Sequence, residues 1–363
     1  MADEKASVED IAPGAIARAA DITDSIAARI HRPVLLAECV NLLLPAEHRT
    51  DPLIVDCTLG LAGHALAFCE ATPGVRLIGI DRDQEALELA TRRLWTHANQ
   101  FTPVHASFSQ FDMVLDKLGV DEVDGAFLDL GLSSLQIDEK DRGFSYCADG
   151  PLDMRMDVTQ SLTAADILAS YSVENLTQIF RDYGQERWAS RIAQAIAEQR
   201  QREPLRHAAQ LVNLVDRVVP RRNRGAGNPA KRVFQALRIE VNGELDELRS
   251  VLPQIALRLA VGGRIVVESY HSLEDRIIKR FFARGSRVDM PHGMPQIPEG
   301  LRPYFRDVSH GAVKASKDEI ARNPRSGSVR LRAVELTLPL PPAVRNEMLH
   351  DIKLAEQGKE KRR

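Results

Sequence analysis

The sequence predicts an α/β protein built on a doubly wound parallel sheet of the nucleotide-binding type. An apolar run, 53–55, leads into the turn 56–64, which contains Gly60 and Gly63. A second apolar run, 75–80, ends in Asp81, 21 residues after Gly60. Strand, glycine turn, helix, strand and acid in this order are typical of the opening of such a fold.

Two acids in this opening segment favour S-adenosylmethionine over a dinucleotide as the ligand. In this fold the ligand lies beyond the carboxyl ends of the strands, so Asp56, Gly60, Gly63 and Asp81 are expected to face one crevice. A carboxylate at Asp81 can accept hydrogen bonds from both hydroxyls of a ribose. A negative charge at Asp56 would repel a pyrophosphate and attract an ammonium or a sulfonium. An NAD-dependent oxidoreductase is therefore disfavoured.

Strands and helices alternate as far as Asp129, and the sheet resumes after a long interruption. The predicted elements are strands over 53–58, 76–80, 101–105 and 124–129 and helices over 62–70 and 84–97. A loop rich in glycine, serine, aspartate and proline follows over 130–158. Helical periodicity then covers 161–219 and 230–260, where Pro253 could kink or divide the helix. A fifth strand is predicted over 264–267, and the segment 329–338 is expected to close the sheet.

These elements divide the chain into a sheet domain with an insertion. The predicted parts are a mobile extension at 1–28, a sheet domain formed by 29–135 and 236–340, a loop and helical insertion at 136–235, and a charged tail at 341–363. No apolar run reaches the roughly 20 residues that a membrane span needs, and residues 1–10 have no signal-peptide core. The four cysteines lack metal-ligand spacing, which indicates reduced thiols, no metal site and a cytoplasmic protein.

Positive charge is concentrated in the insertion. From Leu176 to Arg238 there are 13 Lys and Arg against 5 Asp and Glu, a balance of +8 in a chain of net charge −3. A basic segment in an otherwise acidic protein is expected to meet a polyanion, and the alternative is a solvated helical face. Arg221, Arg222 and Arg224 form a basic loop within it that is expected to contact phosphates.

Two polar segments that follow strands are candidates for catalysis. Asp129 ends the fourth strand, where an acceptor could localise the lone pair of an exocyclic base amine during methyl transfer. The alternative is that Asp129 caps the next turn or holds the cofactor. His271 follows the fifth strand and could contact the target base or its phosphate. Its neighbours Ser272 and Asp275 fit the S-x-x-D pattern of a helix start.

Two aromatic residues lie in the loop after Asp129. Phe144 and Tyr146 could stack on a base that has been flipped out of its helix. The alternative is that they fasten the loop to the hydrophobic core.

Several longer motifs resemble those of the bacterial small-subunit rRNA (cytosine-N4)-methyltransferases, the MraW or RsmH family. In chain order these motifs are 31–36, 56–64, 79–83, 129–138, 142–145, 149–157, 234–242, 271–276 and 323–325. The resemblance covers about 31–335. It implies a class I S-adenosylmethionine-dependent methyltransferase (Rossmann-like) sheet with an inserted α-helical domain.

The resemblance also implies a reaction, a substrate and a set of site residues. The reaction is methylation of N4 of a cytidine in the decoding region of 16S rRNA, within an assembled or late-assembling small ribosomal subunit. No membrane partner is expected, and a homodimer is left open. The catalytic candidates are Asp129 and His271. The cofactor contacts carried over by motif are Ala62, Gly63, His64, Asp81, Phe108, Asp129 and Gln136.

The chain departs from the family pattern at a few positions. Ala62 stands where glycine is usual, and its methyl group could crowd the approach of the cofactor to the backbone. Glu268 and Tyr270 replace an apolar residue and a phenylalanine.

A function from another class is a non-catalytic ribosome-assembly factor that keeps a vestigial cofactor site. The presence of Asp81, Asp129 and His271 argues against it.

Overall fold

The structure is a computed structural model that describes residues 33–44, 51–133, 136, 139–220, 228–287 and 302–360. The predicted extension 1–28 lies outside these ranges. The same is true of the basic residues Arg221, Arg222 and Arg224.

A seven-stranded sheet forms the centre of the protein. Its strands are β1 Leu53–Asp56, β2 Arg76–Asp81, β3 Phe101–His105, β4 Val123–Asp129, β5 Leu259–Ser269, β6 Phe305–Asp307 and β7 Arg330–Leu336. Their spatial order is β3-β2-β1-β4-β5-β7-β6, with β1 to β5 parallel and β7 antiparallel to both of its neighbours. This order confirms the predicted α/β class and the class I methyltransferase arrangement.

Helices cover the sheet and build the insertion. They are α1 Leu36–Leu43, α2 Gly63–Ala71, α3 Gln84–Arg93, α4 Phe111–Leu118, α5 Ala164–Ser170, α6 Val173–Asp182, α7 Ala189–Arg200, α8 Ala208–Val218, α9 Ala230–Asn242, α10 Glu244–Arg258, α11 Ser272–Ser286, α12 Lys317–Arg322 and α13 Pro342–Glu360. Within the described ranges, none of them has the length and apolar character that crossing a bilayer requires.

The first strand shows why the sheet is parallel and central. All four residues of β1 are buried, and β1 pairs in parallel with β2 on one side and β4 on the other. A strand covered on both faces has no solvent side, which is why its sequence is a continuous apolar run up to Asp56. The acids that follow such runs therefore gather at one edge of the sheet.

The helix predicted over 230–260 is two helices that meet at Gly243, so a division at Pro253 is wrong, whereas a kink there stays a prediction. Gly243 has φ +61°, a left-handed conformation that glycine adopts without steric cost, and it ends α9. Pro253 instead lies inside α10.

The insertion has its own hydrophobic core, formed by buried residues between Phe144 and Val241. Phe144 itself is buried in this core. Tyr146 packs edge-on against Phe234, with ring centroids 6.1 Å apart. The two loop aromatics therefore fasten the loop to the insertion, and the structure does not support the expectation that they stack on a base.

The segment predicted as a charged tail, 341–363, is mostly helical. It forms α13, which packs against α10 and buries Met348 in the core beside the sheet. Asp351 accepts a hydrogen bond of 2.8 Å from Arg284 of α11. The prediction of a tail is therefore wrong over the described part of the segment.

The sequence also missed β6 and placed the edge of the sheet at the following strand. β6 is only three residues long, and it lies outside β7. A three-residue strand carries too few alternating positions to be recognised from its pattern.

Asp56 ends β1 in a buried position, with 1 % of its surface exposed. Burial raises the pKa of its carboxyl group to about 8, although the backbone N–H of Thr58 donates to Oδ1 at 3.0 Å. The side chain is therefore mostly uncharged at pH 7. The attraction for a cationic ligand that the sequence suggested at this position does not arise.

The buried acid makes the stability of the protein dependent on pH. In the folded protein Asp56 keeps its proton up to about pH 8, whereas in the unfolded chain it loses the proton near pH 3.9, roughly the ordinary value for an aspartate. Between these values folding takes up a proton. Rising pH should therefore lower the free energy of unfolding through this group, by at most about 1.4 kcal/mol per pH unit.

Asp56→Asn keeps an oxygen that can accept from Thr58 and removes the titration. We expect the melting temperature of the wild type to fall relative to that of Asp56→Asn as the pH rises from 5 to 8. Other titrating groups are shared by the two proteins and cancel in the comparison. A difference that stays constant across this range would contradict a neutral Asp56.

Candidate active site

A cavity of about 310 Å³ opens at the carboxyl ends of β1, β2, β4 and β5. Of the residues that the sequence predicts for the site, those that line the cavity are Gly63, His64, Asp81, Phe108, Asp129 and Gln136. Ala62 and His271 are next to lining residues in the chain but do not line the cavity themselves. Asp56, buried below the turn, is not part of its wall either.

Asp81 lies at the cavity with its carboxylate held by the backbone. Oδ2 accepts from the N–H of Gly60 at 2.7 Å, and Oδ1 accepts from the N–H of Asp83 at 2.9 Å. Burial raises the pKa of Asp81, and these two hydrogen bonds oppose the rise. Each oxygen has a second lone pair, so the carboxylate can still accept from two hydroxyl groups.

Ala62 adopts the left-handed conformation, with φ +57°, where α2 begins. Its methyl group is fully buried in the cluster that contains Ala65 and Phe68. Crowding of the cofactor by this methyl group stays a prediction. The cost of an alanine here is in the backbone, about 1–2 kcal/mol for an L-residue in this conformation.

Phe108 forms an aromatic wall of the cavity in the short helix Phe108–Gln110 that follows β3. The guanidinium of Arg82 lies over its ring, 5.6 Å from the centroid. Arg82 also donates to the carbonyl of Asn242 at 3.2 Å. Arg82 therefore connects the ring to the end of α9.

Gln136 connects the cavity to a buried polar network. Its Nε2 donates to Oδ2 of Asp83 at 3.1 Å, and Arg142 donates to the same oxygen at 2.8 Å. Asp83 also caps α3 by accepting from the N–H of Glu85. Asp83 and Arg142 both lie within motifs of the sequence, but those motifs predict no role for either residue.

Asp129 ends β4 with 18 % of its side chain exposed, at the wall of the cavity. The hydroxyl of Tyr270 donates to Oδ1 at 2.8 Å, and the backbone N–H of Asp129 donates to Oγ1 of Thr58 at 2.6 Å. From the sequence, Tyr270 is only a departure from the family pattern. Its role as the partner of Asp129 depends on the pairing of β4 with β5.

His64 lies beside Asp129, with 3.8 Å between Nδ1 and Oδ2. Its Nε2 is 2.9 Å from the carbonyl oxygen of Val34, which can only accept, so this nitrogen carries the proton. Burial lowers the pKa of the imidazole to about 4. At pH 7 the ring is therefore neutral, and its unprotonated Nδ1 faces Asp129.

His271 is the N-cap of α11. Its Nδ1 accepts from the N–H of Glu274, and Glu274 accepts in return from the N–H of His271 at 3.1 Å. The capping pair is thus His271 and Glu274, one residue before the predicted Ser272 and Asp275. Asp275 instead pairs with two arginines of β7. A contact between His271 and a bound base stays a prediction.

The basic residues between Leu176 and Arg238 fall into two groups. Arg200 donates to the carbonyls of Leu168 and Tyr171, and Arg238 pairs with Glu244 through two bonds of 2.7 Å, so both serve internal contacts. The exposed ones in the described ranges are Arg181, Arg187, Arg191, Arg202, Arg206, Arg217, Lys231 and Arg232.

Arg232 is connected to the start of α11 by a short chain of contacts. It donates to the carbonyl of Gln185 at 3.4 Å, and the side chain of Gln185 is 3.4 Å from the hydroxyl of Ser272. Ser272 is two residues from Tyr270, which lines the cavity. Exposed positive charge thus lies close to the cavity.

These features fit S-adenosylmethionine as the ligand. Asp81 offers acceptors to a ribose, Phe108 offers an aromatic face, and Asp129 ends β4, which is separated from β2 by β1. The ribose acceptor and the candidate acceptor for a target amine therefore lie on opposite sides of the first strand.

Comparison with known proteins agrees with this arrangement. The sequence profile of the MraW methylase family matches residues 28–337. A protein of Bifidobacterium animalis subsp. lactis named ribosomal RNA small subunit methyltransferase H is 60% identical over 334 residues, which cover 92% of this chain and 94% of the relative. A protein of the same name from Beutenbergia cavernae is 49% identical over 325 residues, 89% of this chain and 98% of the relative.

A crystal structure of an rRNA methylase from Streptococcus thermophilus covers 84% of this chain and 94% of its own, at 10% identity and a TM-score of 0.36. That likeness is too low to add to the argument on the fold. The match to the family profile and the two relatives cover most of the chain. The chain therefore belongs to the MraW methylase family, and S-adenosylmethionine is its methyl donor.

Proposed function

We propose that this protein methylates N4 of a cytidine in the decoding region of 16S rRNA. The names of the two relatives support the small ribosomal subunit as the substrate. The observation that carries the proposal is the partly exposed carboxylate of Asp129 at the cavity wall, with a hydroxyl donor on one side. The proposed substrate is an assembled or late-assembling subunit in the cytoplasm. A homodimer stays a prediction.

The chemistry needs an acceptor because the amine of cytosine is a weak nucleophile, its lone pair being delocalised into the ring. A hydrogen bond from the amine to Asp129 would localise that pair on the nitrogen. The bound cofactor would supply a methyl group on a positively charged sulfur, which would keep the electrons of the broken carbon–sulfur bond. Asp129 would accept the proton that the amine loses as its nitrogen gains the methyl group.

The neighbouring residues suit this role for Asp129. His64 is neutral at pH 7 and has no proton on the nitrogen that faces Asp129, so it does not neutralise the carboxylate. Tyr270 donates to one oxygen and thereby orients the group. Reaching the cavity requires the base to leave its stack, at a cost of a few kcal/mol. Contacts between phosphates and the exposed basic residues of the insertion would offset that cost.

Nucleoside mass spectrometry tests the reaction directly. Small subunits from a strain that lacks the protein are incubated with purified protein and labelled S-adenosylmethionine, and we expect label in N4-methylcytidine. Label in another nucleoside would contradict the proposed target. No transfer despite cofactor binding would favour the alternative of a non-catalytic assembly factor.

Asp129→Asn tests the proposed acceptor. We expect turnover to fall by about 10²- to 10⁴-fold, the range for loss of a catalytic base, with the dissociation constant for S-adenosylmethionine nearly unchanged. Asp116→Asn is the matched control, because its side chain is 65% exposed on α4. If Asp129→Asn instead weakened cofactor binding and left turnover intact, Asp129 would serve the cofactor alone.

Neutralising Lys231 and Arg232 tests the proposed phosphate contacts. We expect the double alanine variant to bind small subunits more weakly, and the slope of log affinity against log salt to fall by about 1 for each lost contact. The control is Arg76→Ala, an exposed arginine that begins β2 and so lies at the amino ends of the strands, opposite the cavity. Equal slopes for the wild type and the double variant would exclude this surface from RNA binding.

A further inference from the structure

A second carboxyl group lies next to Asp129 and is completely buried. Glu268 of β5 is the parallel register partner of Asp129, so the two side chains emerge on the same face of the sheet. Glu268 has no exposed surface, and in the described part of the chain neither of its carboxyl oxygens accepts from an N–H or O–H group, although the thiol of Cys39, a weak donor, lies beside it.

The ring of His64 lies close to both carboxyl groups but donates a hydrogen bond to neither of them. Its Nε2 is 3.7 Å from Glu268 Oε2, and its Nδ1 is 3.8 Å from Asp129 Oδ2. The N–H at Nε2 donates a hydrogen bond to the carbonyl oxygen of Val34. The titratable groups that surround Glu268 are Cys39 of α1, His64 of α2, Asp129 of β4, Tyr270 after β5 and Glu319 of α12.

These surroundings make Glu268 a neutral acid. An ionised carboxylate without a donor in a buried position is far more costly than the protonated form. Burial and then the charge of Asp129 raise the pKa of Glu268 well above its usual range. Protonated Glu268 has one O–H to donate, and the register places it beside the carboxylate of Asp129.

We propose that Glu268 is a positioning residue that, as a neutral acid, donates a hydrogen bond to Asp129 and helps to fix that carboxylate toward the target amine. The hydroxyl of Tyr270 donates to Asp129 as well. Hydrogen bonds to an ionised acceptor are the strong ones, so two of them leave Asp129 little freedom to turn.

The pair of carboxyl groups holds one proton and one negative charge before the reaction. When the amine proton reaches Asp129, both groups are neutral, and the extra proton leaves through the cavity once the product has gone. This inference rests on the proposed role of Asp129. It differs from that proposal in concerning the protonation state of a residue that does not line the cavity.

Infrared difference spectroscopy of the full-length protein tests the protonation state without the reaction. We expect the spectrum of the wild type minus that of Glu268→Gln at pH 7 to contain the C=O stretch of a neutral carboxylic acid. Asp56 contributes a similar band to both proteins, which cancels. Glu335→Gln is the control, because Glu335 is ion-paired with Arg264 at 2.9 Å and should give only carboxylate bands. A difference spectrum with carboxylate bands alone for Glu268 would overturn the proposal.

Kinetics of two variants tests the positioning role. Glu268→Gln keeps an N–H that can donate to Asp129, so we expect a turnover close to that of the wild type. Glu268→Leu has no donor, so we expect turnover to fall about tenfold or more, the effect of one hydrogen bond to a charged group. The KM for the cofactor should be unchanged in both.

The pH dependence separates positioning from a general loss of structure. Without the donor from residue 268, ionised Asp129 is less favoured, so the acid limb of turnover should move to higher pH in Glu268→Leu and stay in place in Glu268→Gln. Wild-type turnover and pH profile in Glu268→Leu would overturn the proposal. If the protein methylated no cytidine at all, the proposed function would fail while the infrared result would still decide the state of Glu268.

Discussion

The parallel pairing of β4 with β5 is the constraint on which the site depends. The two strands are separated in the chain by the whole insertion, yet Asp129 is in register with Glu268. That register brings the hydroxyl of Tyr270 to Asp129 and buries Glu268 beside it. A shift of one residue would turn every side chain of a strand to the other face and dismantle the cluster.

Buried polar contacts also fix the insertion relative to the sheet. The side chain of Asn242, at the end of α9, accepts from the N–H of Met156 and donates to the carbonyl of Met154, both at 2.8 Å. Arg142 reaches Asp83 at the end of β2 in the same way. Buried groups of this kind are costly to leave unpaired, so the loop and helices are fixed against the cavity. The exposed basic residues consequently have a defined position relative to the site.

The sequence predicts the strands and their ends, which depend on neighbouring residues. It does not predict the charge of side chains, which depends on their burial in the folded protein. Apolar runs that end in Asp81 and Asp129 identify strands and the edge at which they converge, because both features belong to neighbouring residues. The charge of Asp56 was assigned wrongly because its depth is a property of the folded sheet. The role of His271 as a helix cap could not be predicted either, since the cap depends on the residue at which α11 begins.

Burial also decides which groups at the cavity can carry charge. Asp56 is mostly neutral as an acid and His64 is neutral as a base, each because it has been removed from water. His64 beside Asp129 is uncharged and does not offset the negative charge of that carboxylate. Hydrogen bonds are stronger in a medium of low dielectric constant than in water. Buried and uncharged neighbours thus strengthen the hydrogen bonds that Asp129 accepts.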